Sequence, residues 1–275
     1  MERIIGLVTD FGLRGQHYVA AMKAVIMKTN PFVKIIDISH NISSYSIIEG
    51  AYILKSTYKF FPEKSIFIAV IDPGVGSGRE IIALKTKSGF YFIGPNNGIF
   101  PIFLKATEIS ECISVQNKEY FNQPVSYTFH GRDIMAPIGA YIANYQDFPL
   151  SDLGPKYSFN NLIRKSISYK INEERKSISC LIQYIDSFGN GITPIEIDGN
   201  FIQDLDITLE DKREIQVIIN EKKYKGIFST HFSGVPIDSL LLLVGSTGLL
   251  EISINQGNAS NKLGFKSGDN ITIQF

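Results

Sequence analysis

Three short stretches concentrate the side chains that could do chemistry: Thr9-Asp10-Phe11-Gly12, Asp72-Pro73-Gly74-Val75-Gly76-Ser77-Gly78-Arg79 and Phe129-His130-Gly131-Arg132-Asp133. Each follows or adjoins an apolar run, so each presents carboxylates, an imidazole or a guanidinium from a turn. Gly74, Gly76 and Gly78 first suggest a phosphate cradle, but such a loop leads into a helix whose N-terminus meets the anion. Here the chain runs on into Glu80 to Leu84, a strand-like segment, and the spacing is not a dinucleotide fingerprint. These glycines therefore read as a tight turn. His130, Arg132 and Asp133 read either as a structural ion network or as acid-base and electrostatic groups. The four histidines show no metal-binding spacing, and no Gly-x-Ser-x-Gly elbow for a serine hydrolase occurs. Further along, Asp186-Ser187-Phe188-Gly189-Asn190 and Gly245-Ser246-Thr247-Gly248 each follow an apolar strand. Leu249 to Ala259 is strand-like and ends in a polar turn. Asn-Gly and Gly-Asn pairs are also common hairpin residues, so each of these stretches taken singly has a bland reading.

The elements that must position these groups differ between the two halves. Arg3 to Val8 reads as a strand, Tyr18 to Lys28 as a helix with Val19, Met22, Val25 and Ile26 at helical spacing, and Lys34 to Ile38 as a second strand. Ser46 to Tyr58 is again helix-like, and Ser65 to Ile71 is a continuous apolar run of the kind buried in a parallel sheet. Alternation of this kind predicts a mostly parallel sheet flanked by helices, with ligand-binding loops at the strand C-termini. After about Asp152 short strand patterns take over: Ser177 to Ile185, Glu214 to Ile219, Tyr224 to Phe228, Leu240 to Val244, Leu249 to Ile254 and Ile271 to Phe275. The expectation is an α/β domain over residues 1–160 and a smaller all-β, barrel-like domain over residues 161–275, with the boundary inside the polar stretch Tyr157 to Glu174.

Composition narrows the class. The 275 residues are 44% hydrophobic and 20% charged, with 27 Lys+Arg against 27 Asp+Glu, so no net field draws a polyanion or an anionic membrane to the surface. Neither a nucleic acid nor a membrane is expected as a partner. Only five apolar residues, Ile4 to Val8, precede Thr9 and Asp10, too few for a signal-peptide core or a membrane span, and a cytoplasmic location is expected. Cys112 and Cys180 stand far apart and read as buried small hydrophobes.

Taken in order, Thr9 to Gly12, Asp37-Ile38-Ser39-His40, Asp72 to Gly76, Pro95-Asn96-Asn97-Gly98, Phe129 to Asp133, Asp186 to Asn190 and Ser246 to Ala259 resemble the S-adenosylmethionine (SAM) hydroxide adenosyltransferase family, relatives of the SAM-dependent fluorinase and chlorinase. The resemblance implies an N-terminal α/β domain, a C-terminal β-barrel-like domain, and a homotrimer whose sites lie between the first domain of one subunit and the second domain of its neighbour. It also implies hydrolysis of SAM to adenosine and L-methionine by attack of an activated water at ribose C5′. No cofactor or metal is expected, because SAM is the substrate and its sulfur leaves as a neutral thioether.

By the same resemblance, the hydroxide-forming triad falls on Asp72, Arg79 and His130. Arg79 stabilises the incipient hydroxide, while Asp72 and His130 orient the water and take its proton. Asp10 matches the carboxylate that binds the ribose hydroxyls, and Asp186 and Ser246 match positions that hold the methionine end. Asn190 matches an adenine contact, with further contacts around Asn255 and Asn258. Phe188 reads either as apolar contact to the purine or as core. The chain departs from the family pattern at Asn96 (commonly Asp), Pro194 (commonly Asn) and His17. The alternatives are a halogenase, which the family's halogenases make less fitting because they lack the complete triad, and a non-catalytic SAM or adenosine sensor.

Overall fold

Isoleucine and valine dominate Ile4–Thr9 (β1), Lys34–Ser39 (β2) and Ile66–Val70 (β3), and their branched Cβ atoms suit a pleated strand. Between β1 and β2 runs α1 (Gln16–Thr29), which buries Val19, Met22 and Ile26 along one face. Between β2 and β3 runs α2 (Ile47–Thr57), started by Ser46, whose hydroxyl accepts the Glu49 N–H. Three further strands, Ile81–Thr86 (β4), Tyr91–Pro95 (β5) and Ile109–Ser114 (β6), precede α3 (Ala136–Asn144). The computed structural model describes residues 3–167 and 169–275. Met1, Glu2 and Ser168, which the readings of the N-terminus and of the boundary stretch include, lie outside them. The chain divides into two units, Met1–Lys165 and Ser166–Phe275.

In the first unit the strand order is β2-β1-β3-β5-β4-β6. Pairings β1–β2, β1–β3 and β3–β5 are parallel, while β4 runs antiparallel to both β5 and β6. The sheet is thus mixed, because the short Thr86-to-Tyr91 connection can only reverse direction; a parallel return needs a crossover. Alternate residues of β3, continued by Ile71 just beyond it, feed two cores. Ile66, Ile68 and Val70 pack with α1 and α3 residues such as Met22 and Ile138, and Phe67, Ala69 and Ile71 pack with α2 residues such as Leu54. The parallel register sets Thr9 opposite Val70, so Asp10 and Asp72 leave the sheet from neighbouring strand ends.

In the second unit the strands are Lys170–Asn172 (β7), Ser177–Leu181 (β8), Tyr184–Ile185 (β9), Gly191–Glu196 (β10), Phe201–Ile202 (β11), Ile207–Thr208 (β12), Glu214–Ile219 (β13), Lys222–Phe228 (β14), Leu240–Val244 (β15), Leu249–Ile254 (β16) and Asn270–Gln274 (β17), with one short helix, α4 (Ala259–Leu263). Nine of them form one mixed sheet in the order β7-β8-β17-β13-β14-β15-β16-β10-β9, and β11 pairs with β12. The expected closed barrel is not formed among the described residues. The sheet ends in β7, three exposed residues, and β9, two residues long, and such short strands offer no ladder to seal the edges. Pro194 sits in β10 where its register against β16 shifts, a place that tolerates a residue without an N–H.

A five-residue π-helical turn, Gly131–Met135, leads into α3. Gly131 presses on the end of β3, where a Cβ would lie 2.8 Å from Val70 Cγ1. Gly131→Ala should therefore push this turn off the sheet and destabilise the fold by about 1–3 kcal/mol, read from urea denaturation.

Candidate active site

The ends of β1 and β3 and the start of the α3 segment enclose a cavity of about 250 Å³ in the first unit. Asp10, Tyr45, Asp72, Val75, Phe129 and His130 are among the residues that line it. Asp72 opens the turn after β3 and closes it with its own carboxylate, Oδ1 accepting the Gly74 N–H at 3.1 Å. The same oxygen accepts from Arg79 Nη1 at 2.6 Å. The guanidinium lies over Gly74, where a Cβ would sit 2.4 Å from Nη2. Asp10 Oδ2 accepts the Tyr45 N–H at 2.8 Å. Burial pushes the Asp10 carboxyl above its ordinary range; N–H donors from Tyr45 and its own backbone oppose the rise, and the Asp72 charge adds to it.

Sequence reasoning left Arg132 and Asp133 open between a structural network and chemistry, and the structure gives them the structural part. The fully buried Asp133 accepts from Arg132 Nε and Nη2, both at 2.7 Å, from Asn122 Nδ2 at 2.8 Å and from the Ser126 N–H at 2.9 Å. Burial raises its pKa, but these donors outweigh burial and hold the carboxyl below the ordinary range. The 126–133 loop is thereby pinned, and His130 faces the cavity. Asn97, which the motif reading did not single out, donates from Nδ2 to Ile71 O at 2.7 Å and so ties down the residue before Asp72. At position 96 the buried carboxamide donates to Glu80 Oε2 and to Tyr157 Oη, each at 3.3 Å, and accepts the Ile163 N–H. His17 is exposed, its ring 4.0 Å from that of Tyr18.

In the second unit Asp186 organises its own turn, accepting the N–H groups of Phe188 at 3.0 Å and Asn190 at 2.9 Å on Oδ1, and Asn190 Nδ2 at 2.8 Å on Oδ2. Gly189, with φ of +86°, is crossed by the Asn258 amide, which leaves no room for a Cβ. Asn258 also caps α4 through the Asn261 N–H. Asp186, Asn190 and Asn258 therefore form one cluster. Asn255 is buried and its amide donates to Val235 O at 2.8 Å, so its side chain is committed to the fold. Ser246 is exposed on the turn after β15, and Phe188 is 75% exposed rather than core. A residue that the motif reading passed over lies between the two loops: the Glu251 carboxylate overlies Gly245 and feels the Asp186 charge. Among the described residues no three His, Cys, Asp or Glu side chains converge as a metal centre requires. Cys112 and Cys180 are both buried and unpaired, and burial pushes each thiol up to about 12.

Residues 5–154 match the SAM hydroxide adenosyltransferase N-terminal domain and residues 180–272 the C-terminal domain, and the chain belongs to this family. A relative from Methanocaldococcus jannaschii named (R)-S-adenosyl-L-methionine hydrolase is 36% identical over 99% of this chain and 96% of its own length. One of the same name from Salinispora tropica is 30% identical over 98% and 97%. A fluorinase from Actinopolyspora mzabensis is 21% identical over 98% and 96%. The crystal structure of an uncharacterised conserved protein from Thermotoga maritima superposes with a TM-score of 0.88 at 32% identity, covering 98% of this chain and 100% of that one.

Burial, with the Asp186 charge adding to it, raises the Glu251 carboxyl to about 7. A raised carboxyl pKa leaves stability untouched below the unfolded value near 4.5 and costs stability progressively as pH climbs through about 7. Glu251→Gln should therefore raise Tm at pH 8 more than at pH 4.5 and flatten the Tm-versus-pH curve across that window, read by calorimetry.

Proposed function

We propose that this protein hydrolyses SAM to adenosine and L-methionine. The oxygen of a water forms a bond to ribose C5′ as the C5′–S bond breaks. Both electrons of that bond stay on sulfur, methionine leaves as a neutral thioether, and the water's proton passes to the protein and then to solvent. No acid is needed for the leaving group. The work left to the protein is to hold the adenosyl group still and to present an oriented water opposite sulfur.

The observation that carries this reading is one cavity shared by Asp10, Asp72 and His130, with Arg79, not itself a lining residue, bonded to Asp72. In the proposed mechanism Arg79 lowers the cost of hydroxide formation, Asp72 and His130 orient the water and accept its proton, and Asp10 receives the ribose hydroxyls on two oxygens. Asp186 and Ser246 take the ammonium and carboxylate of the methionyl end, and Asn190, with groups around Asn255 and Asn258, takes the adenine. End-to-end likeness to relatives named as hydrolases supports the same chemistry.

We further propose a homotrimer in which the first-unit set of one subunit works with the second-unit set of its neighbour, as the family resemblance implies. No helix among the described residues is long and apolar enough to cross a membrane.

Purified protein given SAM should release adenosine and methionine in equal amounts, with the label from ¹⁸O-water at the 5′-oxygen. Absence of adenosine would remove the hydrolase reading, and a 5′-halogenated nucleoside formed in chloride or fluoride would replace it. Asp72→Asn and His130→Ala should each lower kcat by about 10²- to 10⁴-fold while leaving the Kd for adenosine nearly unchanged, because general acid-base groups act on the water. If both keep wild-type turnover, the triad assignment fails. For the trimer, an Asp72→Asn variant co-refolded with an Asp186→Ala variant should regain activity, since about one interface in four then joins two intact sets in a head-to-tail ring. No rescue among subunits shown to exchange would place both sets in one chain.

A further inference from the structure

The stretch Asp37-Ile38-Ser39-His40 has no part in the chemistry above, yet it grips the loop that carries Asp10. The register between β1 and β2 shifts between Leu7 and Val8, which pair with Asp37 and Ser39, so Ile38 is an extra residue in β2. A bulge of this kind bends a strand and re-aims the side chains beyond it. Here it turns His40 over the end of β1. His40 Nδ1 lies 3.0 Å from the hydroxyl of Thr9, a fully buried residue, and that hydroxyl also accepts the Phe11 N–H. The His40 carbonyl accepts the Gly12 N–H at 2.7 Å. The residue before Asp10 and the two after it are thus all tied, directly or through Thr9, to one histidine.

The histidine is itself held. Its buried Nε2 sits 3.1 Å from Asp37 Oδ1, off the line of an ideal hydrogen bond, and Asp37 Oδ2 takes Lys23 Nζ from α1. Burial alone would raise the Asp37 carboxyl; the hydrogen bond from Lys23 and the nearness of the His40 ring overcome it and hold the group below its ordinary range. An ionised Asp37 favours the tautomer with the proton on Nε2, which leaves Nδ1 to accept the Thr9 O–H.

We propose that His40 is a positioning residue for Asp10: backed by Asp37 and Lys23, it fixes the Thr9–Gly12 loop in the form that turns the Asp10 carboxylate into the cavity. The chain of contacts reaches the residues on either side of Asp10 and includes no contact to Asp72, Arg79 or His130. His40 should therefore govern adenosyl binding and not the chemical step. The inference rests on the reading of Asp10 as the ribose ligand.

The test is adenosine binding by calorimetry together with steady-state kinetics on SAM, for His40→Ala, His40→Asn, Thr9→Val and Asp10→Ala. Asn can place a carbonyl oxygen near the Nδ1 position, and Val keeps the shape of Thr9 without its hydroxyl. His40→Ala and Thr9→Val should each raise the adenosine Kd about tenfold, the size of one lost hydrogen bond, with kcat held within about twofold. His40→Asn should recover most of the affinity. In an Asp10→Ala background, His40→Ala should cost almost nothing further, because the two act as one unit. A general loss of packing would instead add to the Asp10→Ala defect and would not be rescued by Asn. Full additivity, or an unchanged Kd in Thr9→Val, would overturn the inference, and Thr9→Val keeps the test open if His40→Ala does not fold. An unchanged Kd in Asp10→Ala alone would instead overturn the ribose assignment.

Discussion

The 2.6 Å ion pair between Asp72 and Arg79 is the constraint around which the first unit is arranged. The Asp72 side chain is almost wholly buried, at the end of a strand buried on both faces and within the field of a second carboxylate, Asp10. A carboxylate so placed is costly to keep charged unless a cation and N–H donors meet it. The turn from residue 73 to residue 79 supplies both, by folding the Gly74 N–H and the Arg79 guanidinium back onto one oxygen. The glycine at position 74 follows from this, whereas Gly76 answers to its φ of +80° and to the Tyr127 carbonyl. A guanidinium can lie flat over the backbone only where no Cβ stands in the way.

Behind the pair, the sheet acts as a ruler. Parallel registration of β1 with β3 brings Asp10 and Asp72 out together, and the close contact of Gly131 with Val70 sets His130 beside them. Asp133 and Asn97, neither facing the cavity with a free group, spend their hydrogen-bonding capacity on holding the 126–133 loop and the Ile71 carbonyl in place. In the second unit Asp186 uses both oxygens on its own turn, so the cluster it forms with Asn190 and Asn258 is held by the fold itself.

What could be read from the residues was whatever local pattern specifies. Helical spacing marked α1 and α2, the apolar run marked β3, and six short strand segments of the second half coincide with β8 and β9, β13, β14, β15, β16 and β17. Sheet closure was not legible, because it depends on the lengths and pairing of edge strands, which β7 and β9 show to be three and two residues. In the first-unit cavity, Asp10, Asp72 and His130 could be found because they sit in turns beside apolar runs. Glu251 could not, since its position inside a regular strand pattern looks like any solvent-facing residue. Only the folded arrangement places it over Gly245 and near Asp186. Asn97 was part of a recognised motif, but its duty toward Ile71, 26 residues away, is a tertiary fact.

The amide at position 96 has a consequence for how this chain can change. Its Nδ2, on a buried side chain, meets the half-buried Glu80 carboxylate at 3.3 Å. An aspartate there would bring a second carboxylate to hydrogen-bonding distance of Glu80, with the Tyr157 hydroxyl and the Ile163 N–H as the donors beside it. A carboxylate at position 96 is therefore easier to accept once position 80 carries no charge, and the two positions are coupled through that one contact.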